Sequence, residues 1–255
     1  MSFRILDLIP VVMSDSLQNT LLDRKNLGEE IKRKSNGAIE LEIISLSKGS
    51  SSLEYSYDEV YSGPYILQKV KWAEEKGFNA VVIDCFFDPM LDAAREIVSI
   101  PVIGPCESSL KIASQLAHKF SIISPTPSGN RIVWENIEKY HMERKIASIR
   151  FLDFEVLELE SREEDVRERL LKESKKAILE DDAGAIVMGC TGMSTFANFL
   201  QKALKKELGY YIPMIEPLRA AVFNAINIVL MGVTHSRKTY AYPSEKRRIA
   251  DWEDG

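Results

Sequence analysis

Short apolar runs bounded by turn residues alternate along the chain with longer amphipathic stretches. Arg4 to Met13 reads as a strand, and Ser14-Asp15-Ser16 supplies an N-cap for a helix through about Lys34. Ile39-Glu-Leu-Glu-Ile-Ile44 alternates apolar and polar residues with period two, as a half-buried strand does. A polar loop then leads into a helix from Asp58 to Gly77, where glycine suits the left-handed turn after a helix. Val81-Val82-Ile83 is β-branched and wholly apolar, the pattern of a strand covered on both faces. A short helix is predicted after Pro89, then a strand over Pro101-Val-Ile-Gly104.

The order then repeats. Phe120 to Ser124 reads as a strand ending in Pro125, as the first strand reaches Pro10. A helix follows from Ser128 to about Glu143, a strand within Ile149 to Leu159, and an amphipathic helix from Glu163 to about Leu179. Ala185-Ile-Val-Met188 is a second covered strand, followed by a helix over about Ser194 to Leu208 and a strand from Tyr211 to Ile215. The repeat extends to detail, because Pro101-Val-Ile-Gly-Pro105 matches Pro213-Met-Ile-Glu-Pro217. Alternating strands and helices predict parallel sheets with helices on both faces. Duplication predicts an α/β protein of two similar Rossmann-like lobes related by a pseudo-twofold, with mostly parallel sheets and a cleft between them. Ligands in such sheets bind beyond the carboxyl ends of the strands.

Two cysteines fall at that end, Cys85 and Cys190, 105 residues apart and each closing one of the covered strands. Buried cysteine is commonly a small apolar filler, and Cys106, whose counterpart in the repeat is Leu218, fits that description. Matched thiols beside Asp-Pro and Thr-Gly turns point instead to a sulfur on each side of the cleft. Opposed thiols are suited to removing a carbon-bound proton from one face and returning it to the other. A helix N-terminus beside each thiol is expected to lower its pKa and to offer amides to a developing oxyanion. Thr191, Gly192 and Met193, with Phe86 and Phe87, are placed to supply those amides, and together with Pro10 and Ser124 they are the expected substrate-binding residues.

Composition narrows the alternatives. Of 255 residues 45% are hydrophobic and 28% charged, and the net charge is -5, so nucleic-acid binding gets no support. No basic segment precedes an uninterrupted apolar core and no apolar run is long enough for a bilayer, so the expected address is the cytoplasm and no membrane partner is expected. Three cysteines without CxxC spacing and three scattered histidines (His118, His141, His235) predict neither a disulfide framework nor a metal site. No P-loop or glycine-rich dinucleotide turn is present, and no cofactor is called for. Glu54, Asp58 and Glu107 read as helix-capping carboxylates, and Asp88 as the N-cap that steadies the Cys85 turn. The polar tail from Thr234 carries Tyr240, Tyr242 and Trp252, and wraps the surface, wraps a neighbouring subunit or is mobile.

At these residues the chain resembles the aspartate/glutamate/hydantoin racemase superfamily, most closely its hydantoin racemase branch. Cys85-Phe-Phe-Asp-Pro89 and Gly189-Cys-Thr-Gly-Met193 carry the likeness, with Ser52-Leu-Glu54, Tyr57-Asp-Glu59, and Pro101 to Gly104 with Glu107. The resemblance implies a first lobe of residues 1–106 plus 217–255 and a second of 107–216. It also implies catalysis without a cofactor and a homo-oligomer (dimer, tetramer or hexamer). Cys85 and Cys190 match the family's acid/base thiols, Ser52 lies in its substrate-holding loop, and Thr191 and Gly192 match its amide-bearing turn. Amino-acid racemases of the superfamily commonly follow these cysteines with Asn-Thr and Thr-His. Here Phe86-Phe87 and Thr191-Gly192 stand instead, so the two rings either face a flat, uncharged substrate or pack in the core. Ile9-Pro10-Val11-Val12 replaces the Asn-Pro-Asn-Thr turn usual in hydantoin racemases, removing two polar contacts near the ligand.

The expected function is therefore racemisation of a 5-substituted hydantoin or a related cyclic ureide such as allantoin. Two other readings stand beside it. One is an amino-acid (Asp/Glu) racemase or a decarboxylase or isomerase of small diacids; the other is a non-catalytic small-molecule binder.

Overall fold

The computed structural model describes residues 2–247, so Trp252 lies outside the described residues. Its frame is two four-stranded sheets, parallel throughout. The first takes β1 (Phe3–Val12), β2 (Ile39–Leu46), β3 (Ala80–Ile83) and β4 (Val102–Ile103) in the order β2-β1-β3-β4. The second takes β5 (Phe120–Ser124), β6 (Ile146–Phe151), β7 (Ile186–Met188) and β8 (Met214–Ile215) in the matching order β6-β5-β7-β8. Helices α1 (Gln18–Lys34), α2 (Ser56–Glu75) and α3 (Leu91–Ile97) belong to the first half. In the second half, α5 (Asn130–Lys139), α6 (Glu163–Leu179) and α7 (Ala197–Leu208) take the corresponding places.

The strands that lead to the two cysteines are inner strands. Every residue of β3 and β7 is buried. Side chains alternate between faces along a strand, so Val81 and Ile83 pack with Ile66 and Val70 of α2 while Ala80 and Val82 meet the opposite core. An all-apolar run is what two buried faces require.

Two helices cross between the halves. The helix α4 (Pro105–Leu116) leaves the first sheet, yet its Cys106, Leu110 and Ala113 pack against Phe120, Ile122 and Val187 of the second. The helix α8 (Pro217–Leu230) leaves the second sheet, and its Leu218, Ala221 and Val222 pack against Ile5, Ala80 and Val82 of the first. Asn224 Nδ2 donates to Ser108 Oγ at 3.1 Å where the two helices meet. Cys106 is wholly buried in this packing and is apolar filler. The expected change of lobe at 106/107 falls in the first turn of α4.

Several local expectations are corrected. No element was expected over Pro105–Leu116, where α4 stands and its apolar residues pack on the second sheet. The strand expected within residues 149–159 is β6, which ends at Phe151. Beyond it Leu152 and Phe154 hydrogen-bond to Ser124 O and Pro125 O, and then turn into the core. The strand stops there because β5 ends at Ser124 and Pro125 has no N–H with which to continue the ladder. Ser14 does not cap α1. A short 3₁₀ turn intervenes, and Glu160 of the second half accepts from Asn19 N at 3.0 Å and Thr20 N at 2.7 Å. The described part of the tail clasps α3 and the edge strand β4: His235 Nε2 accepts from Val102 N at 2.8 Å, and Arg237 donates to Arg95 O at 3.0 Å.

Asp88 also departs from expectation. Its backbone is left-handed (φ 51°), and its carboxylate caps α4 rather than the helix that follows it. Oδ1 accepts from Cys106 N and Oδ2 from Glu107 N, each at 2.9 Å, and Tyr140 Oη donates to Oδ2 at 2.7 Å. In the second half Glu216 caps α8 with its own side chain, accepting from Leu218 N and Arg219 N at 2.8 Å. Gly104 occupies the place of Glu216 in the repeat, and a Cβ there would stand 2.4 Å from Asp88 Cγ. The missing side chain leaves room for a cap from the Cys85 turn.

Asp88→Ala is expected to cost about 2 kcal/mol, because two helix-end amides and a half-buried phenol lose their acceptor. Urea unfolding measures this. Adding Gly104→Glu should recover part of the loss by giving α4 the cap that α8 already has.

Candidate active site

Both cysteines leave their strands through tight turns at the carboxyl edge. Cys85 N donates to Ile83 O at 2.7 Å, which bends the chain immediately after β3. Cys190 follows Gly189, where a Cβ would lie 2.3 Å from Ser124 Oγ, so glycine lets the turn pass close to β5. Each sulfur accepts one backbone N–H from two residues further on, Phe87 for Cys85 and Gly192 for Cys190. The duplication is thus visible at the level of single hydrogen bonds.

Both thiols line one cavity of about 380 Å³ with Leu53, Glu54, Phe87, Ser124, Gly129 and Val156. A second hollow of about 470 Å³ adjoins it and is lined by Pro10, Ser52, Thr191 and Gly192 as well as both cysteines. The structure therefore brings Pro10, Ser52, Phe86, Phe87, Ser124, Thr191 and Gly192 to the thiol pair. Met193 is not brought there: its side chain is fully buried in the core of the second half, and its N–H donates to Cys190 O at 3.2 Å. The question left open for the two phenylalanines has a divided answer. Phe86 is 2% exposed and packs with Cys106, Leu110 and Phe120. Phe87 is the cavity wall, its ring lying over the backbone of Gly129, where a Cβ would stand 2.1 Å from Cζ.

The expectation of a lowered thiol pKa is corrected. Burial pushes the Cys85 thiol well up, eased by the Phe87 N–H and worsened by charge on Cys190, Glu59 and Asp84. Burial likewise pushes Cys190 up to about 11, eased by the Gly192 N–H and by Arg24. Neither thiol sits at the end of a long helix: α3 begins six residues past Cys85, and Cys190 opens a 3₁₀ turn. One N–H on each sulfur does not offset loss of water around an anion.

Four ionisable residues behind the thiols were not singled out from the sequence. The Arg24 guanidinium, 1% exposed, donates through Nε to Asp84 Oδ2 at 2.8 Å and through Nη2 to Thr191 O at 3.0 Å. Desolvation acts to lower its pKa, but Asp84 and Asp7 outweigh this and keep it charged. Asp7 is fully buried with neither carboxyl oxygen hydrogen-bonded, and burial raises its pKa well above the ordinary value. Burial lifts Glu216 to about 7. Two sequence signals pointed here: Arg24 stands in the buried stripe of α1 with Leu27 and Ile31, and Asp7 is the one acid within β1. Nearer the ligand space, Glu54 lines the cavity rather than capping α2, accepting from Ser52 Oγ at 2.9 Å and, across the cleft, from Val156 N at 3.3 Å. Burial raises its pKa. Asp58 does cap α2, accepting from Tyr55 N at 2.9 Å. Among the described residues no group of three or more His, Cys, Asp or Glu is placed to hold a metal ion, and no helix is long and apolar enough to cross a membrane.

A duplicated α/β fold with a thiol from each half in one cleft defines a class of two-lobed, cysteine-bearing proteins. The family model for Asp/Glu/hydantoin racemases matches residues 25–225. A hydantoin racemase from Pseudomonas sp. (strain NS671) is 36% identical over 236 residues, 92% of each chain, and one from Rhizobium meliloti is 38% identical over 197 residues, 77% of this chain and 79% of that one. The solved structure of an allantoin racemase from Klebsiella pneumoniae superposes with a TM-score of 0.83 at 30% identity, covering 99% of this chain and 98% of its own. The chain belongs to the Asp/Glu/hydantoin racemase family, and it is a racemase of that family.

In the free protein, iodoacetamide alkylation of both cleft thiols should be slow at pH 7.5. At Cys190 it should climb about tenfold per pH unit toward pH 10, with Cys85 behind it. Peptide mass spectrometry across the pH series checks this; a plateau by pH 8 at either residue would contradict it.

Proposed function

We propose that this protein racemises 5-substituted hydantoins or related cyclic ureides, such as allantoin, by proton transfer between Cys85 and Cys190. The observation that carries the reading is the cavity lining, which holds both thiols, the Phe87 ring and, among the described residues, a single charged side chain, Glu54. A free α-amino acid or a diacid would bring carboxylates into that space and meet no unpaired cation. The guanidinium in the adjoining hollow is already engaged by Asp84. A flat, neutral ring meets no such cost. The names of the relatives agree with this choice.

The thiolate of one cysteine takes the proton from the ring stereocentre. The C–H electron pair moves into the adjacent carbonyl, whose oxygen becomes an enolate. The opposite thiol then gives its proton to the other face as the pair returns to carbon. The first cysteine ends as thiol and the second as thiolate, so the scheme runs equally in both directions. The flanking carbonyl and ring nitrogen acidify the ring C–H, which narrows the gap a thiolate must cross. Ser124 Oγ, buried without a protein partner, donates to a ring carbonyl, and the Glu54 carboxyl, at the rim between the two halves, takes a ring N–H. Every group in this scheme comes from the protein or the ring.

Cys85→Ser and Cys190→Ser should each lower racemisation of a 5-substituted hydantoin by about 10²–10⁴-fold, since a serine hydroxyl is too weak an acid to replace the thiol. Polarimetry follows the loss. NMR in deuterium oxide should show exchange at the ring carbon without inversion in at least one variant, and wild-type racemisation in either variant would overturn the scheme. Ser124→Ala should raise KM and lower kcat/KM by about tenfold through loss of one hydrogen bond to the ring. Unchanged kinetics would remove Ser124 from the site.

A further inference from the structure

The bonds of Arg24 run to both cysteine turns. Nε holds Asp84, the residue before Cys85, at 2.8 Å. Nη2 holds the carbonyl of Thr191, the residue after Cys190, at 3.0 Å, and Nη1 holds Ser194 Oγ at 3.1 Å and Thr20 O at 3.3 Å. Thr191 returns a bond from Oγ1 to Asp84 O at 3.2 Å. All three nitrogens of one buried guanidinium are thereby used, and the fork joins the turn of one thiol to the turn of the other.

We infer that Arg24 is the positioning residue of the thiol pair, fixing the spacing of the two cysteine turns and directing the pair's negative charge to Cys190. This rests on the two-thiol reading above. Charge placement supports it. The largest charge effects on Cys85 come from the opposite thiol, Glu59 and Asp84, all of which oppose a negative sulfur. Cys190 faces Asp84 and Glu54 as well, but Arg24 acts on it in the favourable sense and more strongly than either. Around the guanidinium itself stand Asp7 from β1, Asp84 after β3, and Glu216 at the start of α8. An arginine suits this place better than a lysine, because its planar fork serves several acceptors in fixed directions.

The test uses the full chain and three variants, with folding checked by circular dichroism. Arg24→Lys keeps the charge without the fork. Arg24→Met with Asp84→Asn removes the charge together with its hydrogen-bonded partner, so Asp84 is not left as an unpaired carboxylate. Asp84→Asn alone leaves Arg24 and its charge in place. In the first arm, iodoacetamide alkylation of Cys190 relative to Cys85 is followed between pH 7 and 10 with no substrate present. The preference for Cys190 should persist in wild type, Arg24→Lys and Asp84→Asn, and should fall about tenfold or more in the double variant. In the second arm, racemisation of a 5-substituted hydantoin should fall about 10²-fold in the double variant, and measurably in Arg24→Lys, from misplacement of the thiols. A folded double variant that keeps both the preference and the wild-type rate would overturn the inference. Should the wild type racemise none of the substrates tried, the functional reading fails, and the alkylation arm still decides whether Arg24 directs the charge.

Discussion

A buried ion pair between Arg24 and Asp84 underlies the architecture of this cleft. Taking a guanidinium and a carboxylate out of water costs several kcal/mol each, and only good geometry with further hydrogen bonds repays it. Here the further bonds are the carbonyl of Thr191 and the hydroxyl of Ser194, both from the opposite half of the duplication. The pair therefore cannot be satisfied within one half. Relative movement of the two sheets strips acceptors from a charge that has no water to replace them, which gives the closed cleft a restoring force that apolar packing alone does not supply.

The same economy shows at the helix ends. A helix that changes sheets must start in a crowded place between the halves, where its first amides have no access to solvent. In one half a local glutamate, Glu216, meets those amides. In the other, Asp88 reaches over from the Cys85 turn and Gly104 makes room for it. The two solutions are chemically alike and topologically different. One of them ties the position of a thiol to the start of α4, since Asp88 N also donates to Cys85 O at 3.1 Å.

Much of the fold was legible in the chain. Apolar runs at Val81–Ile83 and Ala185–Met188, the proline-framed repeats after them, and glycine at position 77 with φ 76° are local signals that tertiary structure did not override. The thiol pair was legible for the same reason, because duplication placed both cysteines at matched strand ends. What was not legible depends on distance. The cap of α1 comes from Glu160, the cap of α4 from Asp88, and the partner of Arg24 from a residue sixty positions away; none is encoded in neighbouring sequence. The thiol pKa failed for a related reason. A helix N-terminus can be guessed from turn residues, whereas depth of burial is a property of the whole cleft, and here depth is the larger effect.

Depth also bears on chemistry. A cleft that lifts both thiols and the carboxyls of Asp7, Glu54 and Glu216 penalises any net charge placed in it. A zwitterionic amino acid would have to leave its hydration behind and find two counter-charges, while a cyclic ureide presents amide-like dipoles that Ser124 and backbone groups can meet. The same penalty raises the basicity of a thiolate once formed, because an anion poorly solvated by its surroundings holds a proton more tightly. A dry cleft thus makes the base scarce and strong together, a combination suited to a carbon acid whose own anion is delocalised onto a carbonyl oxygen. Scarcity can be tolerated if the charge returns to a defined place, and the Arg24 guanidinium, which lines the hollow beside the thiols, acts in favour of negative charge on Cys190.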